Sequence, residues 1–305
     1  MNNKILIFGS NGLVGSATVA LLKKSDYFVV ASNRLDTNLF NIEEVNKKIH
    51  TESPDIIINA AAKVGGIVAN NTYRSQFLID NLKINMNILE SCIPHPNIKI
   101  INLGSSCIYP LNAKNPISED SFMDGKLEKT NSPYAMAKLS AIELGRALNI
   151  QYGHKVTNLM PTNLYGPNDN FHKEDSHVIP GLIARMHEAK LKKLPHFNIW
   201  GSGNPKREFL FVDDLSNSIK FIIENNIDED LMNIGSGEEI SINKLAKKIK
   251  SIIKYEGELQ FDSTKPDGNP RKLLNSAKIF DYGWKPLVDL ESGLKKTYNW
   301  YLKNY

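Results

Sequence analysis

The sequence predicts an α/β protein, a doubly wound parallel sheet over residues 1–165 followed by a smaller C-terminal α/β lobe over 166–305. Three observations carry this prediction. Short apolar runs alternate with longer segments of helical periodicity through the first half, the pattern of successive strand–helix–strand units. Gly9, Gly12 and Gly15 are spaced G-x-x-G-x-x-G between the first apolar run and the first helical segment. Tyr134 and Lys138 stand four apart in a helical stretch, downstream of an apolar run that ends just before Ser105.

Lys4 to Phe8 reads as the first strand, and the glycine loop leads from it into a helix reaching about Lys24. In such a loop the first glycine makes the tight turn and the second lets the backbone approach a pyrophosphate. The third lets helix and strand pack closely, and the helix N-terminus holds the negative charge. Placed between strand and helix, the loop (with Asn11 inside it) makes the sheet Rossmann-type. Tyr27 to Ala31 is the second strand. A carboxylate at its end would suit the ribose of NAD; the cation actually there, Arg34, suits the 2′-phosphate of NADP. Asp55 to Asn59 leads into Ala60-Ala61-Ala62, small residues that allow close backbone approach to a ligand. Thr72 to Cys92 is expected as one long helix, and Ile98 to Leu103 as a buried strand with Ser105 at its carboxyl end. Asn112 to Thr130 is polar and proline-dotted, a loop over the site, and Ser132-Pro133 starts a helix to about Tyr152.

After a further strand at Val156 to Met160 the alternation loosens. Helices are expected from His177 to about Lys190, then over 215–225, 242–254 and 292–303, with a short strand at Phe197 to Trp200. Thr264 to Lys272 is a basic, turn-rich loop. The remainder after residue 165 forms the smaller lobe, with some segments returning to the first sheet.

Of the 305 residues, 41% are hydrophobic and 23% charged, with a formal charge of +4, ordinary for a soluble globular chain. The densest basic cluster, Lys244 to Lys254, alternates with Ile and Leu as a solvated helix face does, so no nucleic-acid partner is expected. No apolar stretch approaches the ~20 residues that span a bilayer, so no membrane partner is expected either. Two cysteines, Cys92 and Cys107, make no disulfide framework and point to a reducing, cytoplasmic setting.

The chemistry concentrates at the strand end. Tyr134 and Lys138 project from one helix face. An ammonium beside a phenol favours the phenolate, so Lys138 is expected to bring Tyr134 down from about 10 towards working pH. Ser105 can then orient a carbonyl while Tyr134 gives or takes its proton. A Tyr-x-x-x-Lys pair alone arises by chance in many helices; its setting is what gives it weight.

Together, the glycine loop, Ser105, Tyr134-x-x-x-Lys138 and Pro161-Thr-Asn-Leu-Tyr-Gly-Pro167 resemble the extended short-chain dehydrogenase/reductases that act on nucleotide sugars. Ala60 to Tyr73, Gly104 to Pro110, Ser176 to Pro180, Trp200 to Gly203, Lys265 to Gly268 and Pro270 to Leu273 narrow the resemblance to those that epimerise and reduce a GDP-4-keto sugar. The resemblance implies NADPH rather than NADH as cofactor, a GDP-linked 4-keto sugar as substrate, no metal, and a homodimer through paired helices. It implies that Ser105, Tyr134 and Lys138 form the reductase set and that Cys107 and His177 are the acid/base pair of an epimerase. It places Lys138 and His177 also against the cofactor, with Gly9, Asn11, Gly12, Gly15, Arg34 and Ala60. Asn163, Arg185, Trp200, Arg207 and Lys272 fall where such enzymes hold the sugar nucleotide, with Arg271 as an alternative to Lys272. His177 also stands at a helix start, where capping is the other role open to it. One departure counts: relatives often carry arginine where this chain has Asn11, so the choice of NADP rests mainly on Arg34. A dedicated C4 reductase of a related sugar, such as a GDP-4-keto-heptose, would share every one of these motifs.

Overall fold

The computed structural model describes residues 3–172, 175–264 and 267–305. Lys265 and Pro266 of the turn-rich loop therefore lie outside the described residues. In the first half the order is β1 (Lys4–Phe8), α1 (Leu13–Leu22), β2 (Phe28–Ser32), α2 (Ile42–Glu52) and β3 (Ile56–Asn59). There follow α3 (Ile67–Thr72), α4 (Arg74–Cys92), β4 (Lys99–Leu103), α5 (Ser132–Tyr152) and β5 (Val156–Pro161). The second half runs β6 (Asn163–Tyr165), α6 (Val178–Leu191), β7 (His196–Trp200), β8 (Lys206–Phe211), α7 (Val212–Glu224) and β9 (Leu231–Ile234). It ends with β10 (Glu239–Ser241), α8 (Ile242–Ile253), β11 (Glu258–Asp262), β12 (Arg271–Lys272), α9 (Ala277–Asp281) and α10 (Leu290–Asn304).

Six strands form one parallel sheet in the order β2-β1-β3-β4-β5-β9. Side chains alternate across each strand, so both faces of a doubly covered sheet must be apolar. On β1, Ile5 and Ile7 pack with Leu22 of α1 and Leu215 and Ile219 of α7. Its Leu6 and Phe8 pack on the opposite face with Val45 and Ile49 of α2, Ile84 and Ile88 of α4, and Ala141 and Leu148 of α5. The order reverses at β1, whose neighbours β2 and β3 lie on opposite sides. The carboxyl ends of β1 and β3 thus flank the topological switch point, where open α/β sheets bind ligands.

Two of the differences from the sequence expectation bear on the sheet and the site. The long helix expected over 72–92 is preceded by a separate one, α3, with Tyr73 (φ −106°, ψ 43°) between α3 and α4. The cause is local: Gly66 begins α3, and the Asn70 carboxamide folds back to donate to the carbonyls of Gly65 and Gly66. The strand β9 was not foreseen, although it completes the sheet beside β5. By contrast α5 starts with Pro133 in its first turn and stops at Gly153 in the left-handed region (φ 75°), close to the expected limits.

In the second half, β8 pairs with β6, β10 and β12, and β7 with β11. Their apolar faces pack with α6, α8 and α10 around Phe197, Ile199, Leu245, Ile249 and Tyr298. Residues 112–130 are irregular as expected, yet pinned: Ile117 bridges to Leu274, and Glu119 accepts from the Asn233 N–H at 2.8 Å.

Candidate active site

β4 delivers its last residue, Leu103, to the carboxyl edge of the sheet. Ser105 follows in extended backbone and heads a tight turn, Ser106–Ile108, by accepting from the Cys107 N–H at 3.2 Å. That hydrogen bond ties the two candidate side chains to one rigid turn. Opposite them, α5 presents Tyr134 and, one turn on, Lys138. The Tyr134 phenol stands near Ser105 and Cys107. Phe77 of α4 holds the phenol ring edge-on, with centroids 6.4 Å apart. Ser105, Cys107, Tyr134 and Lys138 are therefore brought together.

The electrostatics overturn one expectation. Tyr134 lies above its ordinary range, first because it is buried and second because of Cys107; the Ser105 hydrogen bond opposes both. Lys138 does not lower it. Its ammonium sits 5.9 Å from the phenol centroid and donates to the Leu103 carbonyl at 2.6 Å, and burial lowers Lys138 itself to about 8. Desolvation disfavours both charged forms and outweighs their attraction. Tyr134 is a protonated phenol in this cleft, equipped to give a proton.

His177 heads α6 without capping it, since no side-chain hydrogen bond to the helix start is made. His177 is exposed, and desolvation by the chain around its ring lowers its pKa. A chain of contacts relates it to Tyr134. Phe77, which touches Tyr134, lies under Gly65, and the Gly66 N–H donates to the Asp175 carbonyl at 2.9 Å, two residues before His177.

At the switch point the residues fit a dinucleotide. Gly9 (φ 77°) passes so close to β3's exit that a Cβ there would lie 2.7 Å from the Ala61 backbone, and a Cβ on Gly15 would collide with the Gly9 carbonyl. Gly12 is less crowded, since a Cβ there would meet only the Gly9 carbonyl, at 3.5 Å. It begins α1 with no side-chain cap, leaving the helix N-terminus free for an anion. Ala60 donates its N–H to the Phe8 carbonyl at 3.0 Å, holding the two strand ends together, and Asn11 is exposed at the loop's rim. Arg34 lies two residues past β2, exposed and, among the described residues, without a carboxylate partner.

The residues expected at the sugar nucleotide lie along the second-half sheets. Asn163 on β6 donates to the Glu208 carbonyl at 2.8 Å. Arg207 and Lys272 are register partners on β8 and β12, and burial lowers Arg207. Arg271 points elsewhere and pairs with Glu239 at 2.6 Å. Arg185 on α6 stacks over Phe197 at 5.6 Å and is lowered by burial; Trp200 is exposed at the end of β7.

Three polar residues escaped the sequence reading. Glu208, fully buried, accepts from the Gly237 and Leu274 N–H groups at 2.8 and 3.0 Å, pinning two loops to β8. Its one trace in the sequence is a carboxylate inside an apolar run. Asp169 is buried, with Oδ2 unpartnered and its pKa pushed up to about 7 by burial. Asn131, just before α5, touches Cys107.

The profile of the NAD dependent epimerase/dehydratase family matches residues 5–235. The chain belongs to this family. Within it, a GDP-L-fucose synthase of Arabidopsis thaliana is 46% identical over 99% of this chain and 94% of its own. A GDP-6-OMe-4-keto-L-xylo-heptose reductase from C. jejuni superposes with a TM-score of 0.92 at 31% identity, covering 100% of this chain and 99% of that one. A GDP-mannoheptose C4 reductase from Campylobacter jejuni with NADP bound gives 0.88 at 32%, covering 99% and 98%. Among the described residues no helix is long and apolar enough to cross a membrane.

Proposed function

We propose that this protein reduces the C4 carbonyl of a GDP-4-keto sugar with NADPH, after epimerising C3 and C5 in the same cleft. One observation carries the reading: a protonated phenol, a hydroxyl and a thiol share one turn-and-helix junction. Hydrogens α to a carbonyl are acidic because the charge left by their removal moves to the oxygen. Cys107 as thiolate takes such a proton, while Ser105 and Tyr134 hydrogen-bond O4 as it gains charge. His177 as imidazolium returns a proton on the opposite face; desolvation disfavours its charged form, so it takes up that proton from water before donating it. NADPH supplies hydride to C4 when bound. Tyr134 then protonates O4, and Lys138 supports the nicotinamide ribose. Gly9, Gly12 and Gly15 admit the pyrophosphate and Arg34 the 2′-phosphate, while Arg207 and Lys272 meet the sugar-nucleotide diphosphate. Asn163, Arg185 and Trp200 complete that binding surface.

The relatives named GDP-L-fucose synthase support the full reading; the heptose reductases among the structural neighbours support a reductase alone. Incubation with NADPH and GDP-4-keto-6-deoxy-D-mannose in D₂O separates them. GDP-L-fucose deuterated at C3 and C5 is expected. A 4-reduced sugar without deuterium would establish a dedicated reductase, and Tyr134→Phe that turns over normally would refute the assignment of the acid. A homodimer through α4 and α5 is part of the proposal, supported by exposed Tyr73, Ile79, Met86 and Met136; sedimentation tests it. The free thiols Cys92 and Cys107 support a cytoplasmic setting.

A further inference from the structure

Asn131 occupies the N-cap of α5, where an asparagine ordinarily turns its side-chain oxygen onto the first helical N–H groups. It does not do so here. No side-chain cap is made; instead Nδ2 donates to Cys107 Sγ at 3.5 Å, while Oδ1 is buried without any partner. A buried amide oxygen left unpaired is destabilising, so stability does not explain this orientation.

The surroundings show how it is enforced. Glu128 accepts from the Thr130 hydroxyl at 2.6 Å, the Thr130 N–H at 3.0 Å and the Asn131 N–H at 3.1 Å. Arg74 reaches across from α4 to the carbonyls of Lys129 and Thr130 at 2.9 and 3.2 Å, and to Ser132 Oγ at 3.2 Å. The segment leading into α5 is thus clamped by a carboxylate and a guanidinium, independently of the Asn131 side chain. What the clamp presents to the cleft is an amide N–H aimed at sulfur.

Resting on the epimerase reading above, we propose that Asn131 is a positioning residue that holds Cys107 as the reactive thiolate and fixes its direction of attack. A neutral thiol is a weak acceptor, whereas a thiolate is a strong one, so a fixed N–H donor favours the ionised sulfur. The proton balance is simple. Sulfur takes the proton from the carbon α to the carbonyl, the C–H electron pair passes to O4, and the amide keeps its own proton throughout. As the thiol forms, the hydrogen bond weakens, which eases transfer of the proton onward to solvent. His177 donates its N–H proton to the opposite face and is reprotonated from water.

The test uses Asn131→Ala and the near-isosteric Asn131→Asp, which lacks the donor. Two rates are measured at pH 7: alkylation of Cys107 by iodoacetamide, followed by peptide mass spectrometry, and entry of deuterium at the sugar carbons in D₂O. Cys92, fully buried, serves as the unreactive internal control. Because the thiolate is the nucleophile in both, Asn131→Ala should slow each about tenfold, and Asn131→Asp more. NADPH affinity should stay near that of the parent since the backbone clamp remains, and Asn131→Ala should melt no lower than the parent, having lost a buried unpaired oxygen. Parent-like alkylation and exchange in both variants would overturn the inference alone, leaving the epimerase intact. Absence of deuterium from the parent's product would overturn the epimerase reading and the inference with it.

Discussion

Replacing Lys138 with methionine should abolish reduction and at the same time make the protein more stable. Lys138 is 2% exposed, and burial lowers it from 10.5 to about 8. At 1.36 kcal/mol per tenfold, keeping that charge in the fold at pH 7 costs about 3 kcal/mol. Methionine of similar length forfeits the hydrogen bond to the Leu103 carbonyl, worth about 1 kcal/mol. The net expectation for Lys138→Met is a gain of about 2 kcal/mol at pH 7. The pH dependence gives a sharper signature. Between pH 8 and 10.5 the unfolded chain binds a proton that the folded protein has released, so the parent gains stability as pH rises through this window. The variant lacks this term, and the two curves should converge towards pH 10. Urea titrations at pH 7, 8 and 9.5, with NADPH oxidation measured in parallel, decide the matter. A variant less stable than the parent at pH 7, or a gap that does not narrow with pH, would refute the view that burial of this charge is a cost retained for catalysis.

Asp169→Asn should act in the opposite pH direction. The folded carboxyl holds its proton to about pH 7 while the unfolded one ionises near 3.8, so the parent loses stability from pH 4 to 7, and the neutral amide should be about 4 kcal/mol more stable at pH 8; thermal unfolding across this range checks it. Arg34→Ala should raise KM for NADPH about tenfold and leave that for NADH unchanged, read by steady-state kinetics with each cofactor. Gly15→Ala forces a Cβ onto the Gly9 carbonyl; a loss of about 2–3 kcal/mol in stability and of NADPH binding is expected, by urea titration and cofactor fluorescence.

The first half of the fold was legible because its strands are uninterrupted apolar runs and its glycine loop has one sensible reading. α5 was legible at both ends, through Pro133 and Gly153. β9 was not: Leu231-Met-Asn-Ile234 is four residues long, too short for a periodicity, and is recognisable as a strand only through β5 beside it. At the site, residue identities could be read but not their electrostatic balance. A spacing of four places Lys138 near Tyr134, yet only the burial of both and the Leu103 carbonyl decide which interaction dominates. Asn131 was hidden for a similar reason. An asparagine ahead of Ser-Pro reads as a cap, and its turn towards Cys107 is set by Glu128 and Arg74, residues distant in sequence or unremarkable in type.

β9 and α7 have a consequence for how this chain can be made and recombined. The outer strand of the parallel sheet and the helix covering Ile5 and Ile7 both come from beyond residue 165. A nascent chain leaving the ribosome cannot finish that sheet until residue 234 has emerged; until then β5 is a bare edge and one face of β1 lies open. The same interlacing forbids swapping in the second half of a relative at residue 165. A chimera joined there would inherit α7 and β9 from one parent and the surfaces they seal from the other, so exchange of sugar specificity has to proceed loop by loop.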